Sequence, residues 1–339
     1  MIPFTKLTAV RGASAALMMM SLISTGAEAA ETLTITLDTP PTHQRTAMVK
    51  RFADLLVERS GGALTYELFD SGQLYNDRDA GRAVARGDAD MSVLTTAALS
   101  RVEASLNVLD LPLLYGMTSD QRAAMVDGAL GQRLSQAVGD SLEVVVPGNW
   151  FVLGRVFYWT TAKPLASFED FTGLQIRIPG GAANVERLAS LGGNAVVMPF
   201  ADTPLALQQG VVDGTMGSIE TMVSQHMVDN GIRHGFWDQG IVGYVIPIVG
   251  KSYWSSLTAD EQALFTATWN EVVPEQRAGI LDNEAAGMAT LQGQGVSFAE
   301  ATAEQVTAAR ARMLERQQAL VDSLAIPADV MELAEAAVK

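Results

Sequence analysis

Two arginines in strand-like, apolar stretches are the residues of this sequence best suited to chemistry. Arg177 stands in Leu174-Gln-Ile-Arg177-Ile-Pro-Gly-Gly, a short apolar run that ends on a proline and two glycines. Such an end stops pairing and opens toward whatever lies above the strand. A guanidinium there can be solvated, pair with a structural carboxylate, or meet an anionic ligand. Its planar fork suits the last role, because it holds a carboxylate through two parallel hydrogen bonds. Arg155 lies earlier, among Trp150, Phe151, Phe157, Tyr158 and Trp159. The rings could pack a domain while Arg155 snorkels to solvent. They could equally wall a two-arginine clamp. Residue types leave both readings open.

Other chemistries find little support. The chain has no cysteine, so thiol catalysis and thiolate metal sites are excluded. No Walker A pattern, G-x-S-x-G elbow or H-E-x-x-H occurs, and Gly293-Gln-Gly295 follows a helical pattern, so it reads as a turn. His43, His226 and His234 lack partners at metal-ligand spacing and are expected on the surface or in loops. The formal net charge is −15, which argues against nucleic acid and anionic membranes as partners. An anionic small molecule would need a local positive pocket. No cofactor is implied.

The elements that must position the arginines follow from periodicity. Leu33–Leu37, Leu64–Phe69 and Met91–Leu94 read as strands. Helices are expected between them, the first carrying Met48, Phe52, Leu55 and Leu56 on one face and the second starting at Asp77. This alternation predicts an α/β domain with a mostly parallel sheet, whose ligands sit beyond the strands' carboxyl ends. Asp38 to His43, Asp77 and Thr95 lie at such ends. Ser119 or Asp120 opens a helix to about Val138, and Leu142–Val146 reads as a buried strand. Phe151 to Thr160 reads as a long strand that passes between domains. A second alternation runs from 150 to 215, with Thr203 as N-cap before Pro204. Tyr244–Val249 is a strand that could return to the first domain. Capping boxes at Thr258 and Thr302 open helices, the first reaching as far as Leu291, the second to about Leu324. Two α/β units imply a cleft between them.

Lys6 and Arg11, the apolar run from Ala13 to Ile23, and Ala27-Glu28-Ala29 form a secretory leader with its cleavage site. Residues 1–29 are therefore expected to be removed on export, which leaves the remainder one charge more acidic.

The sequence also resembles a known family, the DctP-type substrate-binding proteins of tripartite ATP-independent periplasmic (TRAP) transporters. The carrying residues are Phe168-Glu-Asp-Phe-Thr-Gly-Leu-Gln-Ile-Arg177-Ile-Pro179, Leu191-Gly-Gly-Asn-Ala-Val-Val-Met-Pro-Phe200 and Leu205-Ala-Leu-Gln-Gln-Gly-Val-Val-Asp-Gly214. Gly72-Gln-Leu-Tyr-Asn-Asp77-Arg, Ala85-Arg-Gly-Asp-Ala-Asp-Met91 and Trp254 to Gln262 agree as well. The resemblance implies a two-domain, periplasmic-binding-protein-like α/β fold, with crossing strands and a long helix spanning both domains. Residues 30–153 plus about 243–282 would form the first domain, and 154–242 plus about 283–325 the second, followed by a C-terminal helix over 326–339. It further implies a periplasmic protein that traps an organic acid by domain closure and delivers it to membrane permease subunits, without catalysis; a monomer is the default expectation. A secreted α/β enzyme and a ligand-presenting partner of a sensor are the alternatives. Arg177 would pair with the ligand carboxylate and Arg155 would assist. Asp38, Asp77, Thr95, Phe200 and the aromatic Trp150 would line the cleft. One departure is plain: the family often places a ligand-binding asparagine where this chain has Gly217, and Ser218 is the nearest substitute.

Overall fold

The computed structural model describes residues 31–338; the leader expected at 1–29 lies outside them. Among the described residues are eleven strands: β1 (Glu31–Thr36), β2 (Leu64–Phe69), β3 (Met91–Thr95), β4 (Val144–Val145), β5 (Phe151–Thr160), β6 (Gln175–Ile178), β7 (Asn194–Val197), β8 (Gly214–Ser218), β9 (His234–Trp237), β10 (Val242–Gly250) and β11 (Ser297–Glu300). Their order is β2-β1-β3-β10-β5-β8-β6-β7, with β4 beside β10 and β9 joining β5 to β11.

The strand β5 links two half-sheets. Its first residues pair antiparallel with β10, which in turn pairs with β3. Its last residues pair antiparallel with β8 and β9. Parallel pairs β1·β2 and β1·β3 complete one half; β6·β7 and β6·β8 complete the other. Each half-sheet carries apolar packing on two faces. On the first half, Phe52, Phe265 and Trp269 fill one layer and Leu134, Tyr244 and Ile248 the other. On the second half the layers are built around Phe171, Ile176 and Phe236, and around Trp159, Met222 and Leu291. Burial of side chains this large contributes roughly 1.5–3 kcal/mol each before conformational entropy is counted.

Several helix boundaries differ from expectation. The single helix from Thr258 toward Leu291 is two, Ala259–Ala278 and Ile280–Gly293. The capping box at Thr258 forms. Pro274, inside the first helix, cannot donate to the carbonyl one turn back, and Gly279 follows at the break. The two helices divide the spanning role: Phe265 and Trp269 pack on the first half, Leu291 on the second. The helix expected to about Val138 is also two, Ser119–Asp127 and Ala129–Leu142, with the cap at Thr118. The second consumes Leu142, and Glu143 then turns left-handed at φ 57°, so only Val144–Val145 remain of the expected strand. Thr203 is the first helical residue rather than the cap, a shift of one position. The helix Ala303–Ser323 keeps its capping box at Thr302. It runs from the second half, through Val306 and Met313, to the first, through Val321. The last helix, Ala328–Ala337, packs on the first half through Val330 and Ala334.

Candidate functional site

The halves meet over a cavity of about 790 Å3 of unfilled space, part of it open to solvent. Arg177 enters it from β6, one residue short of that strand's end. The Pro-Gly-Gly that comes next does more than end the strand. Gly180 sits at φ +153°, and a Cβ there would stand 2.6 Å from the Ala97 carbonyl oxygen of the other half. A side chain at that position would wedge the halves apart.

Arg177 is 2% exposed. Its Nε donates to the Met198 carbonyl at 3.0 Å, and its guanidinium carbon lies 5.2 Å from the centroid of the Phe200 ring. Nη2 has no hydrogen-bond partner; Asp77 Oδ2 is 3.7 Å away, too far for a bond. Burial pulls the Arg177 pKa down to about 10, against the raising influence of Asp77 and Asp38, so it stays protonated at neutral pH. Asp77 itself is pushed up to about 6, by burial first and then by the charge of Asp38.

The cavity collects most of the residues expected there. Asp38, Asp77, Thr95, Arg177, Phe200 and Gly217 all line it. Asp38 is held by Arg45, whose Nη2 donates to it at 2.5 Å while Nη1 donates to the Val93 carbonyl. Thr95 caps the short helix behind it by accepting from the Ala98 amide. At Gly217 a Cβ would meet the terminal methyl of Met222 at 2.9 Å, a flexible group that would have to shift. Ser218 does not line the cavity. Its hydroxyl caps the helix Ile219–Ser224, accepting from the Thr221 amide, and Thr221 takes its place on the wall.

Arg155 and Trp150 are not brought to this cavity. Arg155 lies on the opposite side of β5, with Nε donating to Glu284 Oε2 at 2.6 Å and its guanidinium over the Trp237 ring at 4.7 Å. The cause is Gly154, at φ +83°. It interrupts the alternation of β5, so that Leu153 and Val156 face the cavity while Arg155 turns away. A glycine inside a strand was the available signal. Trp150 is buried, its indole N–H donating to Ser135 Oγ at 2.9 Å.

Sequence reading missed Arg45, Asp110 and Asn184. His43 stands, as expected, in the loop before a helix, and it is buried there on the cavity wall. It caps the helix Gln44–Arg59 through Nδ1, and burial, reinforced by Arg45, holds its pKa well below 6.5. Asn184 donates to Asp110 Oδ2 at 2.9 Å, and Arg187 to the Asp110 carbonyl at 2.8 Å. Both contacts join the helix Ala182–Ser190 of the second half to the segment Ala104–Asp110 of the first. Between the halves, Glu220 Oε1 accepts from the Gln44 amide at 2.9 Å.

The sequence profile of the bacterial extracellular solute-binding proteins of family 7, DctP, matches residues 36–323. The chain belongs to that family, the substrate-binding proteins of TRAP transporters. It is 28% identical, over three quarters of its own length and of the relative's, to the C4-dicarboxylate-binding periplasmic protein DctP of Rhodobacter capsulatus. It is 25% identical to the sialic acid-binding periplasmic protein SiaP of Vibrio cholerae, over 73% of this chain and 76% of that one. Among solved structures, the fold matches a TRAP periplasmic solute-binding protein from Desulfovibrio salexigens with bound orotic acid. That match has a TM-score of 0.84 and 23% identity, and covers 91% of this chain and 98% of the other. The galactonate-bound sugar acid binding protein of Advenella mimigardefordensis matches with a TM-score of 0.85 at 18% identity, over 91% of this chain and 98% of that one. These likenesses establish the two-domain α/β solute-binding fold.

Proposed function

We propose that this protein captures an organic acid in the cleft, with the ligand carboxylate held by Arg177, and delivers it to the membrane subunits of a TRAP transporter. The observation that carries this reading is the state of the guanidinium. It is anchored through Nε and supported by an aromatic face, and its Nη2 edge lacks a protein hydrogen bond at 2% exposure. A buried charged donor without an acceptor is costly, and a carboxylate arriving in the plane of the fork removes that cost. The relatives' carboxylate-bearing ligands support the same reading. The protein acts as a monomer in the periplasm and turns nothing over. Its two domains divide near Leu153 and Gly243, where β5 pairs with β10 before running on into the second half-sheet.

Titration calorimetry of the wild type and of Arg177→Ala against an organic-acid panel tests the proposal. The variant is expected to lose about 2–5 kcal/mol of affinity for whichever acid binds, because its carboxylate loses a desolvated partner. Equal affinity in both proteins would remove Arg177 from the role.

A further inference from the structure

With Arg177 as the carboxylate anchor, the role on which any reading of this ligand rests, the surrounding charges speak to the ligand's other end. The charged side chains of the cavity wall are Arg45, Arg177, Asp38, Asp77 and Asp110. Arg45 is committed to Asp38 at 2.5 Å, with its other nitrogens on the Val93 carbonyl and Thr39 Oγ1. His43 is kept neutral. Asp110 leans on Arg187 behind the wall, a cation it shares with Asp238. Arg177 is therefore left to answer Asp77, and a ligand carboxylate makes a second anion against that one cation. Asp77 is 8% exposed and its Oδ1 has no hydrogen-bond partner. Asn184, 1% exposed, leaves its Oδ1 unpartnered too, beside Asp110. Buried acceptors in this condition call for a donor, and the excess of negative charge calls for a cationic one. The Asp77 pKa is raised by burial first and then by the charge of Asp38, against the opposing pull of Arg177. A metal ion is a poor candidate, because among the described residues no three His, Asp or Glu side chains converge as its ligands.

We infer that the ligand is a zwitterion, an amino acid in the broad sense, whose carboxylate sits on Arg177 and whose protonated amine sits against Asp77. A hydroxy acid could supply a donor but not the charge. A plain acid would supply neither.

Matched triads separate these classes: alanine, lactate and propionate; glutamate, 2-hydroxyglutarate and glutarate; 4-aminobutanoate, 4-hydroxybutanoate and butanoate. Calorimetry at pH 7.5 is expected to show, in at least one triad, the amine binding tenfold or more tightly than its two analogues. Asp77→Asn, checked for native fold by near-ultraviolet dichroism, is expected to erase that preference while plain acids bind as well or better. The inference is overturned if no amine binds, if a hydroxy or plain acid leads every triad that binds, or if the amine preference survives Asp77→Asn. Plain acids that bind and then lose binding in Arg177→Ala would leave the carboxylate anchor standing and sink the zwitterion alone. Binding that ignores Arg177→Ala would sink the anchor first.

Discussion

Arg177 and Arg155 both stand in apolar, strand-like stretches of the sequence. In the fold each guanidinium also lies over an aromatic ring and near a carboxylate. The structure makes them opposites. Arg155 is satisfied: Glu284 accepts from both its backbone amide and its Nε at 2.6 Å, and its side chain keeps 29% of its exposure. Arg177 is nearly sealed, and its nearest carboxylate stands off at 3.7 Å with an oxygen of its own left unpaired. A completed ion pair reads as architecture. An incomplete one, buried at the seam of two half-sheets, reads as a place kept for a third party.

That contrast can be broken most directly at the arginines. The largest effect expected is the loss of about 2–5 kcal/mol of ligand affinity in Arg177→Ala, whereas Arg155→Met should leave affinity unchanged in the same calorimetric titration. Next come the acidic partners, which should behave in opposite senses. The Asp77 pKa is raised to about 6 in the folded protein, above its ordinary 3.8. Folding therefore favours its protonated form, and the associated stability is present below about pH 4 and lost as pH rises through 6. Asp77→Asn should then be more stable than wild type by about 2–3 kcal/mol at neutral pH, since each tenfold change in proton affinity is worth roughly 1.4 kcal/mol. The difference should vanish near pH 4 in urea unfolding across that range; a flat difference curve would count against the strained pair.

Breaking the satisfied pair should destabilise at neutral pH. Arg155→Met leaves Glu284, 7% exposed, without its partner, and is expected to cost about 2 kcal/mol in the same urea assay, discounted for the exposure of Arg155. Adding Glu284→Gln should recover much of it. The smallest effect is expected at the ring under Arg177. Phe200→Leu keeps the bulk but removes the π face, so affinity should fall by about 0.5–2 kcal/mol. A loss as large as that of Arg177→Ala would mean that the ring, not the fork, is the principal contact.

Much of the frame was legible because it is local. Phe151 to Thr160, Leu64–Phe69 and the boxes at Thr258 and Thr302 each declare themselves within a few residues, and the structure matches them. Arg177 was legible for the same reason, since the proline and glycines that end its strand lie beside it. What escaped was either nonlocal or a local exception overlooked. Asp110 and Asn184 meet across 74 positions, and Gln44 meets Glu220 across 176. No periodicity announces such contacts. Gly154 was an exception in plain sight: one left-handed residue turned Arg155 to the far side of the sheet. The helix opened at Thr258 passes through Pro274 and stops at Ala278, where Gly279 supplies the break.

The contact between Glu220 and the Gln44 amide has one further consequence. It places an anion from one half against the leading end of a helix in the other, where the backbone carries partial positive charge. Its sequence neighbours His43 and Thr221 line the cavity wall, and it is only partly buried. Ions in the medium can therefore compete for both of its members once the halves separate. If the halves separate to release solute, as the proposed function requires, added salt is expected to favour the open form, and solute dissociation rates measured across an ionic-strength series check this.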